Sequence, residues 1–294
     1  MHNIQPGILA DVPRLARYLI FSLQAKASPS ASLKALANNI NGESAVIGLG
    51  HSLLKALGVS VDGLQAFPAY TGAGFDVPST PASLWIWLRG DDRGELLHQS
   101  LEIQRMLADS FDLQNVIDAF QYKDSRDLTG YVDGTENPQH DDAVKAAIVQ
   151  GRGAGLDGSS FVAVQQWVHD LAHFQAMPVA EQDHAIGRRI SDNEEIEDAP
   201  ESAHVKRTAQ EDFSPEAFVL RRSMPWADAT QAGLVFVSFG HSVAAFDALL
   251  KRMVGAEDGT VDALFNFTQP ISGSYFWCPP IKHGRVDLSA LELE

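Results

Sequence analysis

Apolar positions along this chain fall into short blocks whose spacing alternates between a strand-like and a helix-like repeat. Leu15 to Leu23 is mostly apolar, carrying Tyr18, Ile20 and Phe21, and it reads as a buried strand. Ser28, Pro29 and Ser30 mark a helix start, after which Leu33, Leu36, Ala37 and Ile40 recur at helical spacing. Val46 to Leu49 predicts a short strand. Gly50, His51 and Ser52 follow, with Ser52 the expected N-cap of a helix through Leu57 that ends near Gly58. The Gly- and Pro-rich stretch from Phe67 to Pro81 predicts a long loop. Leu84 to Leu88, Leu-Trp-Ile-Trp-Leu, is the clearest strand of the first half. Arg93 to Asp109 predicts a helix with Leu96, Ile103 and Leu107 on one face, and Val116 to Tyr122 another strand. Strand, helix, strand, strand, helix, strand points to an α+β layer, an antiparallel sheet with helices packed on its face.

The second half repeats the theme. Ser160 to Val168 predicts a strand, and Pro178 to Ile190 a helix with Val179, Gln182, Ile186 and Ile190 in register. The acidic run Asp192 to Glu201 reads as a solvated loop. Phe218 to Arg222 and Leu234 to Phe239 predict strands. A helix carrying Val243, Phe246, Leu250 and Met253 and stopped by Gly255 comes next, and Ser274 to Cys278 is a last strand. Gly-His-Ser after an apolar strand occurs at Gly50 and again at Gly240, which together with the repeated order of elements suggests an internal duplication. The expected division is residues 1–150 and 151–294, two similar α+β halves.

Composition narrows the partners. A formal charge of −16 on 294 residues argues against nucleic acid, whose phosphates need clustered Lys and Arg. The only cysteine, Cys278, excludes an intrachain disulfide and thiolate metal clusters. No apolar run reaches the length of a membrane span, and Met1 to Gly7 has no basic segment leading into an apolar one. The expected setting is cytoplasmic, without a membrane partner.

The candidate chemistry centres on Gly130 to Pro138, Gly-Tyr-Val-Asp-Gly-Thr-Glu-Asn-Pro, where two glycines bracket Asp133 in a tight turn. By itself this is an ordinary Asx-type turn. Downstream stand His204, just after the acidic run, and Arg221, in Leu220-Arg221-Arg222-Ser223-Met224-Pro225. A neutral imidazole serves as an axial ligand to haem iron. A carboxylate moves a proton between the two oxygens of a peroxide, and a fixed guanidinium stabilises the charge that develops as they part. Singly, a His is a surface or satisfied core residue and Arg221 with Arg222 a solvated pair.

The extended turn resembles the Gly-x-x-Asp-Gly signature of the dye-decolorizing peroxidases, and the later His and Leu-Arg-x-x-Met-Pro stretch follow in family order. The chain is most similar to the compact bacterial subgroup called class B. The resemblance implies a pair of ferredoxin-like halves with haem b in the C-terminal half. It implies His204 as the proximal iron ligand, Asp133 as the distal acid and Arg221 as the distal cation. Glu216 takes the place of an acid that hydrogen-bonds the proximal His, and Arg188 that of a contact to a haem propionate. Ser223 departs from relatives with Asn there, which puts a second polar contact to peroxide in doubt. The implied activity is reduction of hydrogen peroxide through a ferryl state, with oxidation of dyes, phenolics or other small-molecule reductants. A homo-oligomer is implied as well. Some relatives travel in encapsulin shells by a C-terminal tag, but the tail Lys282 to Glu294 shows none.

Other readings use other residues or none. His169 and His173, four apart, would share a helix face in a zinc hydrolase, but Gln166-Trp167-Val168 is strand-like and the expected Glu is missing. A haem-handling protein with incidental peroxidase activity would share the fold and lack the dependence on Asp133 and Arg221. Trp226 and Tyr131 are aromatics able to carry electrons, but packing explains both, and no role is assigned to them.

Overall fold

Leu84–Gly90 is buried along its first five positions because the sheet it belongs to is covered on both sides. Side chains alternate across a strand, so Trp85 and Trp87 enter one apolar cluster while Leu84, Ile86 and Leu88 enter another. The computed structural model describes residues 3–293. Met1 and His2, at the head of the N-terminal stretch read above for a signal, and Glu294, at the end of the tail, lie outside the described residues.

Leu15–Leu23 pairs with Leu84–Gly90 on one side and Phe111–Phe120 on the other, and Leu84–Gly90 pairs in turn with Ala45–Gly50. All these pairings are antiparallel, and the lateral order, in chain sequence, is fourth, first, third, second. The C-terminal strands take the same order. Ser160–His169 lies between Ser274–Cys278 and Ala232–Gly240, which pairs with Met224–Ala227. These are two ferredoxin-like halves, as the chain's resemblance implies.

The two sheets join at both edges. Gly50 and Leu49 pair with Phe276 and Trp277, and Ala119 pairs with Trp226, which closes the strands into a barrel. Eight strands leave an interior just wide enough for side chains. Here it is filled by Tyr18, Trp85, Trp87, Trp226, Phe239 and Phe276. Each buried indole removes roughly 150–250 Å² from water, worth at most about 4–6 kcal/mol at ~25 cal/mol per Å². On the outer face, helices Ser30–Asn39, Arg93–Leu107 and Ala244–Met253 press Leu33, Leu36, Leu96, Ile103, Phe246 and Leu250 onto the sheet.

Several local expectations change. Ser52 is not a cap: the helix His51–Ala56 starts two residues earlier, with Gly50 as its N-cap and no side-chain cap, and the Ser52 hydroxyl lies 3.3 Å from that of Ser83. The stretch Phe67 to Pro81 contains a small hairpin, Tyr70–Gly72 with Phe75–Val77. The helix expected over Pro178 to Ile190 ends at Ile186, where Gly187 adopts φ 95°. Helix His140–Ala147 and strand Met224–Ala227 have no counterpart in the pattern reading. The Gly-His-Ser match is not a repeat marker: at Gly50 it follows the second strand of its half, and at Gly240 the third. The duplication lies in strand order instead. Where the first half crosses from its first to its second strand with one helix, the second half uses residues 170–219, including helices Leu171–Ala176, Val179–Ile186 and His204–Arg207. No helix among the described residues is long and apolar enough to cross a membrane.

Candidate active site

That enlarged crossover stands off the sheet and leaves a cavity holding about 1520 Å³ of atom-free space, its open mouth included. Trp167, Leu234 and Phe236 from the strands, Phe246 and Met253 from the last helix, and Ile186 and Val205 from the crossover supply apolar walls. Asp133, His204, Arg221 and Arg188 all line it, as do Asp127 and His169.

Asp133 sits on the glycine-bracketed turn. Gly130 and Gly134 have φ of 95° and 81°, a conformation that residues with a Cβ rarely adopt. The turn is locked to the strand carrying Arg221 by one side chain. Asn137 accepts from the Arg221 backbone N–H at 2.8 Å through Oδ1 and donates to its carbonyl at 3.0 Å through Nδ2. This brings the Arg221 guanidinium to 4.0 Å from the Asp133 carboxylate. That is too long for a direct hydrogen bond, but two bonds of about 2.8 Å meeting at a shared oxygen span roughly 4–5 Å. Burial raises the Asp133 carboxyl above the usual range. Arg221 pulls it down, Asp127 pushes it up and His204 pulls it down. Burial therefore outweighs the cation expected to keep it ionised.

His204 opens the short helix His204–Arg207. Its Nδ1 lies 2.8 Å from Oδ2 of Asp262, a carboxylate that is 0 % exposed at its side chain. The other oxygen of Asp262 caps the turn Ala263–Asn266 by accepting from Leu264 N–H at 2.9 Å. Three residues on, Arg207 forks onto Asp258 at 2.7 and 2.8 Å and bonds the Arg252 carbonyl, tying the helix to the end of Ala244–Met253. Among the described residues Nε2 of His204 has no hydrogen-bond partner, and the side chain lines the cavity.

Glu216 does not partner His204. It is exposed, beyond the cavity wall, and Asp262 occupies the place given to it. Asp262 carried a signal only as a cap before a short apolar run, in Val261-Asp262-Ala263-Leu264. Arg188 lies at the cavity, but its guanidinium already holds Glu136 at 2.6 Å and Glu195 at 3.1 Å. A propionate there would exchange with these acids. The Ser223 hydroxyl accepts from Val237 N–H at 3.3 Å and does not line the cavity. His169 ends its strand, with Nε2 2.9 Å from Asp127 and Nδ1 2.6 Å from Thr268, while His173 lies on the following helix and is exposed. The shared helix face required for a zinc site is absent, and among the described residues no group of three or more His, Cys, Asp or Glu is placed to hold a metal ion. One free imidazole nitrogen cannot hold a bare metal, but it suffices as axial ligand to an iron already held by a porphyrin.

Comparison with known proteins agrees with this chemistry. The family model described as Dyp-type peroxidase, C-terminal, matches residues 124–283. A dye-decolorizing peroxidase of Rhodococcus erythropolis is 29% identical over 295 residues, covering 94% of this chain and 86% of its own. A dye-decolorizing protein from V. cholerae superposes with a TM-score of 0.85 at 26% identity, covering 97% of this chain and 98% of that one. A variant of DypB from Rhodococcus jostii RHA1 in complex with heme does so with a TM-score of 0.83 at 26% identity, covering 92% and 94%.

Proposed function

This chain belongs to the Dyp-type peroxidase family, an oxidoreductase family acting on peroxide, and from that premise we propose that it binds haem b through Nε2 of His204. The observation that carries the reading is the His204–Asp262 pair, with the free ring nitrogen at a cavity that Asp133 and Arg221 also line. The apolar walls would hold the porphyrin faces, and Arg188 would meet a propionate in place of Glu136 or Glu195. When bound, the haem supplies the iron at which the peroxide bond is cleaved and the store for two oxidising equivalents.

The protein's own residues manage protons and charge. Asp133, in its ionised form, would take a proton from one oxygen of a bound peroxide and hand it to the other, so that the O–O bond parts with water as the leaving group. Arg221, fixed through Asn137, stabilises negative charge on that leaving oxygen without having to reorganise. Asp262 accepts from Nδ1–H of His204, which sets the tautomer and makes Nε2 a stronger donor to iron. Small-molecule reductants then return the two electrons. The reading includes a division between halves near residue 150, a cytoplasmic setting and a homo-oligomer.

The test is an absorption spectrum of haem-loaded protein before and after peroxide, with stopped-flow kinetics on two variants. Asp133→Asn is expected to slow the reaction with peroxide by ~10²–10⁴ and Arg221→Leu by ~10²–10³. A Soret band that peroxide leaves unchanged in the wild type, or equal rates in all three proteins, would sink the reading.

A further inference from the structure

Besides Asp133 and Arg221, the cavity wall holds a second acid–base pair. His169 and Asp127 both line it, with side chains 5% and 16% exposed and 2.9 Å between Nε2 and Oδ1. The hydrogens on this pair can be counted. The Thr268 hydroxyl donates to the Val168 carbonyl at 3.1 Å, so it accepts from Nδ1–H of His169 at 2.6 Å. The other ring nitrogen meets Oδ1 of Asp127, and two lone pairs at that distance repel unless a hydrogen lies between them. Oδ2 of Asp127 accepts from the backbone N–H and the hydroxyl of Thr129 at 2.8 and 2.5 Å. Burial would raise the Asp127 carboxyl, but His169 foremost and then Thr129 hold it below the usual range, which leaves the hydrogen on the ring. The pair is an imidazolium facing a carboxylate. It also grips the loop that carries Asp133. Asp127 N–H donates to the Tyr131 carbonyl and Gly130 N–H to the Asp127 carbonyl, both at 2.9 Å, while Asp133 N–H donates to the Ser125 carbonyl at 3.1 Å. His169 and Thr268 are partners on adjacent strands, so the pair ties this end of the loop to the sheet as Asn137 ties the other end to Arg221.

We infer that His169 and Asp127 are positioning residues for Asp133, a charged latch that holds the Asp133 loop on the sheet and sets the charge Asp133 meets from that loop, an inference that rests on the peroxidase reading above. Three charged groups act on Asp133: Arg221 from strand Leu220–Arg221, Asp127 from its own loop and His204 from the crossover. Arg188 lines the same cavity with Glu136 and Glu195 on its guanidinium. With the imidazolium in place, part of the Asp127 charge is offset, and Asp133 ionises more readily than it would beside a bare carboxylate. Removing Asp127 takes the like charge away and makes ionisation easier still. A purely mechanical tie would shift Asp133 the same way whichever partner is lost. The charged latch shifts it in opposite ways.

The experiment follows Asp133 directly, by carboxyl-carbon NMR of the full-length, haem-free chain labelled at aspartate, its signal assigned by its loss in Asp133→Asn. His169→Gln keeps a hydrogen-bond donor without the charge and is expected to move the Asp133 titration to higher pH. Asp127→Asn is expected to move it to lower pH. In the haem-loaded protein, at a pH on the rising limb of the peroxide reaction, the rate should fall ~3-fold or more in the first variant and rise in the second. Nitrogen NMR of histidine-labelled wild type needs no altered latch. At neutral pH the His169 ring, assigned by backbone-to-ring correlation, should carry hydrogen on both nitrogens. Titrations displaced the same way in both variants, an Asp133 signal unmoved by either, or a singly protonated His169 ring overturns the inference and leaves the peroxidase reading intact. A haem band indifferent to peroxide in the wild type overturns that reading, and with it the pair's part in the reaction, whatever the NMR shows.

Discussion

Asn137 is the residue on which the distal geometry turns, because its one amide satisfies both backbone groups of Arg221. Asn137→Ala leaves the part-buried N–H of Arg221 unpaired, at about 1–3 kcal/mol, while its carbonyl keeps a bond from the Arg222 guanidinium. It should lower the melting temperature and slow the peroxide reaction together, as calorimetry and stopped-flow kinetics would show. Asp262→Asn should weaken haem retention or turnover by ~10–100-fold, measured by haem transfer to an acceptor protein. Glu216→Gln should leave haem retention as in wild type. A fourth outcome concerns pH. With its carboxyl held above the ordinary range by burial, Asp133 becomes a base only as pH rises through that raised value. The rate of reaction with peroxide should therefore climb with pH through an inflexion above 3.8, and Asp133→Asn should abolish that limb. Asp133 and Arg221 were legible because their types and order match a motif. Asp262 was not, since an acid that caps one turn while orienting a ring fifty-eight positions away leaves no local pattern.

Elements, rather than single side chains, set the angle at which His204 is presented. Its helix runs only from His204 to Arg207, too short to hold itself, so the fork from Arg207 to Asp258 supplies the anchor. Arg207 depresses the Asp258 carboxyl to about 2. A depressed carboxylate contributes stability that is fully present above its unfolded value near 3.8 and is lost as pH falls towards about 2. Thermal melts of the protein without haem should therefore fall between pH 4 and pH 2, and Asp258→Asn should flatten that part of the decline. On the opposite wall, Gly130→Ala or Gly134→Ala forces a Cβ into a left-handed conformation. Either change should cost about 1 kcal/mol or more and slow the peroxide reaction, with the haem band retained. Strands and helices with strong periodicity were visible in the chain, Leu15–Leu23 and Ser274–Cys278 to the residue. Helix His140–Ala147 was not, because its buried side is made only of alanines, Ala143, Ala146 and Ala147.

The whole molecule is a barrel of two ferredoxin-like sheets, with the active-site candidate outside it under the second crossover. Truncating the doubly covered strand, as in Ile86→Ala, should cost about 2–5 kcal/mol in denaturant unfolding without altering the haem spectrum of the remaining folded protein. Apolar period, turn chemistry and motif order determined the α+β class, the doubled arrangement and the residue types able to handle peroxide, because these depend on neighbours along the chain. Tertiary structure alone decided that the sheets close on each other, that Asp262 and not Glu216 holds His204, that Ser223 faces backbone, and that Asn137 ties the distal pair. Those outcomes depend on contacts between residues far apart in sequence, where one carboxylate looks like another until folding brings one of them within 2.8 Å of the ring it orients.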